Sequence, residues 1–189
     1  MIRSELWNRM LDVIEFDIAP QTRKAVEIGC KVFGAAVIRR SDYALVLAET
    51  NREAFSPLWH GEVYTIKMFY EMQGHPDPAD CIFISTHQPC CMCTSALAWS
   101  GFREIYYLFG YRQTGEKFNI PHDQKMIRDI FGTSEPKPSN DYFEWRSILD
   151  DAPNQPDPET ARARIDRVAA LYAEMSSVYQ AGEKRMILK

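Results

Sequence analysis

Four short apolar runs, separated by polar or helix-like stretches, dominate the first part of the chain. They lie at 33–40, 43–51, 81–86 and 103–109, and each has the length and the β-branched or aromatic content of a β-strand. The first two runs are separated by two polar residues, so they predict an antiparallel hairpin. The last two are apolar almost throughout, which is typical of strands that are buried on both faces of a sheet.

Between these runs the apolar positions recur every three or four residues, which indicates amphipathic helices. This period predicts a helix over 4–16, followed after Pro20 by a second helical piece over 21–31. Further helices are predicted over 59–74 and 90–100. Strands that are joined through helices need parallel crossovers, so the pattern predicts an α/β layered domain.

The chain beyond residue 110 has a weaker pattern until its last segment. There, one apolar stripe recurs at spacings of three and four residues on a long predicted helix: Ile165, Val168, Tyr172, Met175 and Tyr179. The simplest interpretation is that this helix docks on its own domain, and a surface for a partner or a second copy is the alternative. We therefore expect residues 1–189 to form a single domain, with 135–189 as a C-terminal extension whose role the pattern does not define.

Composition and charge narrow the class of protein. A chain of 189 residues with 46% hydrophobic and 25% charged residues is an ordinary globular protein. Its net charge of −4 argues against a broad electrostatic surface for nucleic acid. Charged residues interrupt the N-terminus, which argues against a secretion signal, and no apolar run is long enough to span a bilayer. Five cysteines, an odd number, favour reduced thiols in the cytoplasm, and hence a metal site or catalysis rather than disulfides.

Two short motifs place metal-ligand residues at the starts of two predicted helices. His60 and Glu62 open the helix after the second strand, and Cys90 and Cys93 open the helix after the third strand. At positions i and i+3 the two cysteines share one helix face, so they and His60 can meet one Zn²⁺, at about 2.3 Å for sulfur and about 2.0–2.1 Å for nitrogen. Three protein ligands leave the fourth tetrahedral position for water, which is typical of catalytic zinc sites.

Glu62 is placed to carry protons at such a site. Because it lies two residues from His60, its side chain diverges from the imidazole and can lean over the open position. Zinc lowers the pKa of a coordinated water to about 7, and a neighbouring carboxylate can pass the proton to a leaving group. This arrangement predicts hydrolytic loss of ammonia from an amino-substituted ring carbon.

The motifs H-G-E at 60–62 and P-C-C-M-C at 89–93 resemble the H-x-E…P-C-x-x-C signature of the zinc-dependent cytidine and deoxycytidylate deaminase superfamily. The resemblance covers residues 33 to about 109. It implies a three-layer α-β-α sandwich with a mixed five-stranded sheet. It also implies that His60, Cys90 and Cys93 bind Zn²⁺ and that Glu62 is the general acid/base.

The same resemblance implies four residues on the substrate side of the site. Asn51 would contact the base or sugar, the Gly61 N–H would lie beside the substrate, and Phe33 and Trp99 would form aromatic walls around the ring. Each has a plainer alternative. Asn51 can end a strand in a turn, and the two aromatic residues can pack in the core or in a dimer interface.

The cysteines also allow alternatives to a catalytic zinc site. A structural zinc site would need Cys91 as the fourth ligand, but adjacent cysteines do not easily point at one tetrahedral ion. A redox Cys-x-x-Cys pair would leave the H-G-E motif unexplained. Cys30, Cys81 and Cys91 are expected to pack in the core, and His87, which lacks paired ligand spacing, is expected to be an ordinary surface or loop residue.

The substrate is less well defined than the reaction. The acidic balance favours a small ligand. The segment 91–101 resembles the branch that acts on guanine, cytosine and tRNA adenosine, and 111–123 is similar to the loop that follows the strand at 103–109 in guanine-deaminase-like members. In three places the chain departs from the family pattern: Gly61 stands where alanine is commoner, Gln88 where glutamate often precedes the Pro-Cys pair, and only eight residues separate Asn51 from His60, fewer than the pattern leads us to expect. The sequence predicts a cytoplasmic, homodimeric, zinc-dependent deaminase of a free nucleobase or nucleoside, with guanine or cytosine as the leading candidates. A tRNA adenosine-type polynucleotide deaminase and a non-catalytic zinc-binding scaffold subunit are the alternatives.

Overall fold

Five strands form one mixed sheet in the order β2-β1-β3-β4-β5. The computed structural model describes residues 1–118, 122–133 and 135–182. The strands are β1 (Gly34–Arg39), β2 (Leu45–Thr50), β3 (Cys81–His87), β4 (Glu104–Phe109) and β5 (Glu144–Ser147). β1 is antiparallel to β2 and to β3, whereas β3, β4 and β5 are mutually parallel. The predicted hairpin and the mixed five-stranded sheet are therefore confirmed.

Helices cover both faces of this sheet. They are α1 (Ser4–Asp12), α2 (Ala19–Glu27), α3 (Gly61–Glu71), α4 (Cys91–Trp99), α5 (Tyr111–Phe118), α6 (His122–Phe131) and α7 (Pro158–Ala181). One core joins α1, α2 and α7 to one face of the strands, and a second core joins α3 and α4 to the opposite face. Alternate residues of β1 follow this division, because Ala36 and Ile38 lie in the first core and Ala35 and Val37 in the second. The predicted three-layer α-β-α sandwich is confirmed.

The N-terminal helices form one continuous helical run, which differs from the two separate pieces that the sequence predicts. A π-helical segment, Val13–Ile18, joins α1 to α2, and Pro20 lies inside α2 near its start. In an uninterrupted α-helix, a proline at this position would remove an N–H donor and clash with the carbonyl of Phe16. The wider turn of the π-segment changes which backbone N–H and C=O groups are hydrogen-bonded just before the proline, so the helix continues. It ends at Glu27, before the predicted end at residue 31.

The terminal helix α7 docks on its own domain. All five residues of its predicted stripe are buried in the first core, and α7 packs against α2. Burial of each large apolar side chain contributes about 1.5–3 kcal/mol, so this stripe is a major part of the core. Residues 183–189 of the predicted extension 135–189 lie outside the described residues. Within the described part of the chain, no helix has the length and apolar character needed to cross a membrane.

The sheet topology brings the start of β1 and the ends of β2 and β3 to the same end of the sheet. The start of β1 lies opposite the end of β2, since Gly34 pairs with Thr50, and β1 is also paired with β3 so that the end of β3 reaches the same edge. The loop that follows β2 leads into α3, and three residues after β3 the chain enters α4. The starts of both helices therefore meet beside the ends of β2 and β3.

Candidate active site

His60, Cys90 and Cys93 come together where α3 and α4 begin. His60 is the N-cap residue of α3, Cys90 is the N-cap residue of α4, and Cys93 lies in the first turn of α4. His60 Nδ1 is 3.5 Å from Cys90 Sγ and 3.6 Å from Cys93 Sγ, and the two sulfur atoms are 3.5 Å apart. Both cysteines are buried, so these donor atoms point into the protein.

The spacing of these atoms fits a tetrahedral zinc ion. With Zn–S near 2.3 Å and Zn–N near 2.0–2.1 Å, tetrahedral angles separate two sulfurs by about 3.8 Å and a sulfur and a nitrogen by about 3.6 Å. The observed separations of 3.5–3.6 Å are within a few tenths of an ångström of these values. Within the described ranges, the group of residues able to hold a metal comprises these three and does not include Cys91. The donor set is that of an open site rather than a closed structural one.

Burial and mutual contact determine the charges of these groups. Burial raises the pKa of Cys93 to about 12, so without a cation its thiol stays protonated. Burial alone would lower the pKa of His60, but hydrogen bonds with Cys90 and with the carboxylate of Glu53 raise it to about 10. A divalent cation reverses this balance, because it binds thiolates and a neutral imidazole and releases their protons.

Glu62 lies next to the three ligands, on the first turn of α3. Its side chain is buried, and Oε2 is 3.3 Å from Cys93 Sγ. The hydroxyl of Ser85 on β3 lies 2.8 Å from Oε1 and 2.5 Å from the carbonyl of His87, so its one proton is shared by two acceptors. Ser85 therefore fixes the orientation of the Glu62 carboxylate without neutralising it.

Asn51 and Gly61 line the same edge of the sheet. Asn51 is completely buried, and its Oδ1 accepts a hydrogen bond of 2.9 Å from the Glu53 N–H. Its Nδ2 has no partner among the residues that the structure describes, so a buried donor is left for a ligand. Gly61 begins α3, and its backbone N–H is one that the helix does not satisfy. Asn51 does form a turn, as its plainer alternative predicts, but its amide nitrogen donates to none of the described residues.

The two residues predicted to form aromatic walls, Phe33 and Trp99, occupy different environments in the structure. Phe33 is buried and its ring packs 4.6 Å from the ring of His87, so its side chain belongs to the core, as its plainer alternative states. Its backbone touches the site instead, because its carbonyl accepts from the N–H of Asn51 at 2.8 Å. Trp99 is the last residue of α4 and is 92% exposed, so it neither packs in the core nor lies in the enclosed cluster.

Three charged residues around the cluster were not found from the sequence. Glu53 Oε1 lies 3.2 Å from His60 Nε2 and 2.7 Å from Lys31 Nζ. Asp123 on α6 lies within electrostatic range of the site: burial raises its pKa, His60 and Lys31 oppose the shift, and Glu62 adds to it. Asp123 falls in the segment 111–123 that resembles part of the deaminase family, which was the available signal, whereas no motif marks Glu53 or Lys31.

His87 is a buried core residue, and the expectation of a surface or loop position was wrong. Its ring packs between those of Phe33, Phe109 and Tyr172, with centroid distances of 4.6, 5.1 and 5.9 Å. Burial lowers its pKa to about 3, so the ring is neutral in the folded protein. His87 is the last residue of β3, directly before the short loop that carries Cys90. The terminal helix α7 covers it through Tyr172.

The chain matches one described protein family over its central part. Residues 17–109 match the cytidine and deoxycytidylate deaminase zinc-binding region. This range contains the three-residue cluster, Glu62 and Asn51, and it ends with β4. The residues that follow, including α5, α6 and α7, lie outside the match.

Individual relatives are similar to the chain at low identity. The guanine deaminase of Bacillus subtilis (strain 168) is 26% identical over 104 residues, which are 50% of this chain and 65% of that protein, so slightly less than two thirds of the relative is spanned. The structure of guanine deaminase from Nitrosomonas europaea has a TM-score of 0.61 at 20% identity, covering 94% of this chain and 87% of that one. The structure of the B. subtilis guanine deaminase has a TM-score of 0.52 at 20% identity, covering 86% and 94%. At such identities the structural likeness concerns the fold.

Proposed function

We propose that this chain, which belongs to the zinc-dependent cytidine and deoxycytidylate deaminase superfamily, binds Zn²⁺ and hydrolytically deaminates a nucleobase or nucleoside. The reaction consumes one water molecule, breaks the bond between a ring carbon and its amino nitrogen, and leaves a carbonyl product and ammonia. The enzyme class is a hydrolase that acts on C–N bonds of cyclic amidines.

The placement of Glu62 carries this proposal. A purely structural zinc site needs no additional carboxylate, yet Glu62 is buried beside the ligands with one oxygen 2.8 Å from Ser85 and the other 3.3 Å from Cys93. Burying a carboxylate is costly, so its retention here fits a catalytic role. The three ligands His60, Cys90 and Cys93 would hold the ion and leave one position for the reacting water.

The residues of this chain divide the work between proton transfer and orientation. When bound, Zn²⁺ supplies the nucleophile, because it lowers the pKa of water to about 7. Glu62 takes a proton from the attacking water and delivers it to a ring nitrogen, then takes the second proton from the added hydroxyl and delivers it to the departing amine. Asn51 Nδ2 donates to an acceptor on the ring, and the Gly61 N–H lies beside the same ring. These fixed donors hold the amino-bearing carbon in the position that attack requires.

Asp123 would provide a second carboxyl within electrostatic range of His60 and Glu62. Since burial raises its pKa, the group holds a proton more readily than an exposed aspartate does. A protonated carboxyl can donate to a second ring nitrogen while Glu62 serves the first.

We infer that guanine is the leading substrate and cytosine the second. The guanine deaminase of B. subtilis is similar in sequence to half of this chain. A purine has nitrogens on both fused rings, so two carboxyls within electrostatic range of each other, Glu62 and Asp123, can act on one substrate. The net charge of −4 supports a small substrate over a nucleic acid.

We also infer that the protein is a cytoplasmic homodimer. The exposed ring of Trp99 borders an apolar groove of about 550 Å³ between α4 and the segment before β5, lined by Ala98, Pro136, Tyr142 and Phe143 among others. Trp99 is 92% exposed and Tyr142 is 66% exposed, and aromatic residues of this kind are enriched in interfaces. Five free cysteines support a reducing compartment.

The decisive experiment is an assay of ammonia release by the zinc-loaded protein. The panel contains guanine, cytosine, cytidine, deoxycytidylate, adenosine and aminopterins, and the Glu62→Gln variant prepared in the same way is the blank. Release from guanine that the variant lacks would support the proposal. If the wild type carries one zinc per chain and releases no ammonia from any member, the small-molecule activity is wrong. A tRNA substrate then tests the polynucleotide alternative, and a negative result there favours the scaffold.

A further inference from the structure

Lys31, Glu53 and His60 form a nearly buried chain of charged and polar groups that leads into the cluster. Their side chains are only 9%, 10% and 14% exposed. Lys31 Nζ and His60 Nε2 both approach the same oxygen, Glu53 Oε1, at 2.7 and 3.2 Å. The three residues come from different places: the segment before β1, the loop after β2, and the N-cap of α3. A lysine and a glutamate are rarely buried unless they are paired, so this pairing needs an explanation.

The two ring nitrogens of His60 face different partners. Nδ1 points at the sulfur atoms of Cys90 and Cys93, at 3.5 and 3.6 Å, and Nε2 points at Glu53. A neutral imidazole carries one N–H, and its other nitrogen has the lone pair that a metal needs. An ionised carboxylate can only accept hydrogen bonds, so Glu53 selects the tautomer in which Nε2 bears the proton. Nδ1 is then left as a metal ligand.

Glu53 is itself fixed at two points. Its carboxylate is held by the ammonium group of Lys31, and its backbone N–H donates to Asn51 Oδ1 at 2.9 Å. The loop that carries Glu53 is closed by a hydrogen bond of 2.8 Å from Arg52 N to the carbonyl of Trp59. Glu53 thus connects the imidazole of His60 with the side-chain amide of Asn51. Nδ2 of that amide is the buried donor that has no partner among the described residues.

We propose that Glu53, anchored by Lys31, is a positioning residue that holds His60 in its Nε2–H tautomer and so presets Nδ1 for zinc. The inference rests on the proposed zinc site but not on the identity of the substrate. A carboxylate or carbonyl that accepts from the second nitrogen of a ligand histidine raises the basicity of the ligand and fixes the plane of its ring. The ammonium of Lys31 has no direct contact with His60 and acts only through the carboxylate.

The test measures zinc affinity and the histidine tautomer rather than activity alone. Zinc affinity is measured by competition with a chromophoric chelator. The tautomer is read from long-range ¹H–¹⁵N correlations of zinc-loaded protein labelled at its four histidines. Glu53→Ala should bind zinc about 10–100-fold more weakly than the wild type. It should also lose the slowly exchanging Nε2–H signal of His60. Glu53→Gln should retain most of both properties, because its amide oxygen still accepts a hydrogen bond.

Two further variants separate positioning from general loss of structure. Lys31→Met should weaken zinc binding less than Glu53→Ala does. Lys31→Arg should bind zinc as the wild type does, since a guanidinium can also hold the carboxylate of Glu53. Glu49→Gln is the matched control: this carboxylate is 18% exposed and pairs with Arg52 at 3.6 Å without contacting His60. Its zinc affinity and histidine spectrum should equal those of the wild type.

The outcomes distinguish the inference from the proposed function. If Glu53→Ala binds zinc as tightly as the wild type and keeps the Nε2–H signal, the positioning role is wrong, although the zinc site stands. If Glu49→Gln weakens zinc binding as much as Glu53→Ala does, the effect is not specific to the contact with His60 and the inference fails. If the wild type binds no zinc, both the inference and the proposed function fail.

Discussion

Replacing Gly61 with alanine adds one methyl group at the most crowded point of the candidate site. Gly61 is the first residue of α3, between His60 and Glu62. A Cβ at this position would lie 2.7 Å from Gly34 Cα, 2.9 Å from Gly34 N and 3.1 Å from the carbonyl carbon of Phe33. All three atoms belong to the backbone at the start of β1, so none can rotate away. Two glycines in contact thus allow α3 to approach the sheet closely.

The size of the effect follows from these distances. Ordinary Cβ contacts begin at 3.4 Å, so the methyl group or the strand must move by 3.4 − 2.7 = 0.7 Å. The strand cannot easily recede, because Gly34 donates to Thr86 Oγ1 at 3.0 Å and has Ile18 packed against its other side. Overpacking of this kind costs about 1–3 kcal/mol, and rigid backbone neighbours favour the upper part of that range. If α3 moves instead, a displacement near 1 Å of His60 and Glu62 would lower turnover by about 10²-fold.

The assay compares Gly61→Ala with Gly115→Ala. Gly115 also lies in a helix, α5, but a Cβ there would meet no atom of the described residues within 4 Å. Alanine at that position should therefore stabilise the protein by about 0.5–1 kcal/mol through helix propensity alone. Urea unfolding of the zinc-loaded proteins measures the two free energies of unfolding, and bound zinc is determined in the same samples.

The two variants should shift stability in opposite directions. A Gly61→Ala protein with wild-type stability and full zinc content would show that the site accepts a methyl group at this position. The contact with Gly34 would then not explain why glycine stands at this position. A loss that is equal in both variants would point to a general effect of the substitution rather than to the contact.

Three further predictions concern the chemistry, the core and the surface. Glu62→Gln should retain one zinc per chain while its kcat falls by about 10²–10⁴-fold, and substantial residual turnover would contradict its role in proton transfer. Burial lowers the pKa of His87 to about 3, so the unfolded state binds the extra proton below its own pKa of about 6.5. Stability is therefore fully present above that pH and is lost as the pH falls, by about 2 kcal/mol between about pH 7 and about pH 5. Urea unfolding should show this component in the wild type and not in His87→Phe, and equal pH slopes would contradict the assignment. Trp99→Glu should convert a dimer to monomers in sedimentation velocity, with Tyr70→Glu, another exposed aromatic outside the groove, as the control that leaves the dimer intact.

Local spacing was enough to predict which four side chains meet at the candidate site. Cys90 and Cys93 are linked by the geometry of one helical turn, and His60 and Glu62 by the start of another, so short-range pattern constrains both pairs. The strands and the terminal stripe were predictable for the same reason, because each is a repeated local contact with one face of the core. The course of the chain at Pro20 was not predictable, since a π-turn has no distinct hydrophobic period.

Residues that support the site depend instead on contacts between distant segments. Lys31 and Glu53 are 22 residues apart, and Lys31 reaches the site only because β1 begins beside the end of β2. Glu53 lies in an irregular loop, where no periodicity fixes the direction of a side chain. Periodicity can show that a residue is buried but not which partner it meets, so Lys31 and Glu53 could not be assigned from the sequence.

The division between local and distant contacts also bears on where substrate choice is set. The match to the deaminase family ends at residue 109, and that range holds the ligands, Glu62 and Asn51. Asp123 lies beyond it, on α6, which packs against α4 near the ligand cysteines. The groups proposed to activate water are thus placed by the sheet and by α3 and α4, whereas the carboxyl proposed to contact the substrate comes from a segment outside the family match. Substitutions on α6 should accordingly alter the relative rates on guanine and cytosine while zinc binding is unchanged.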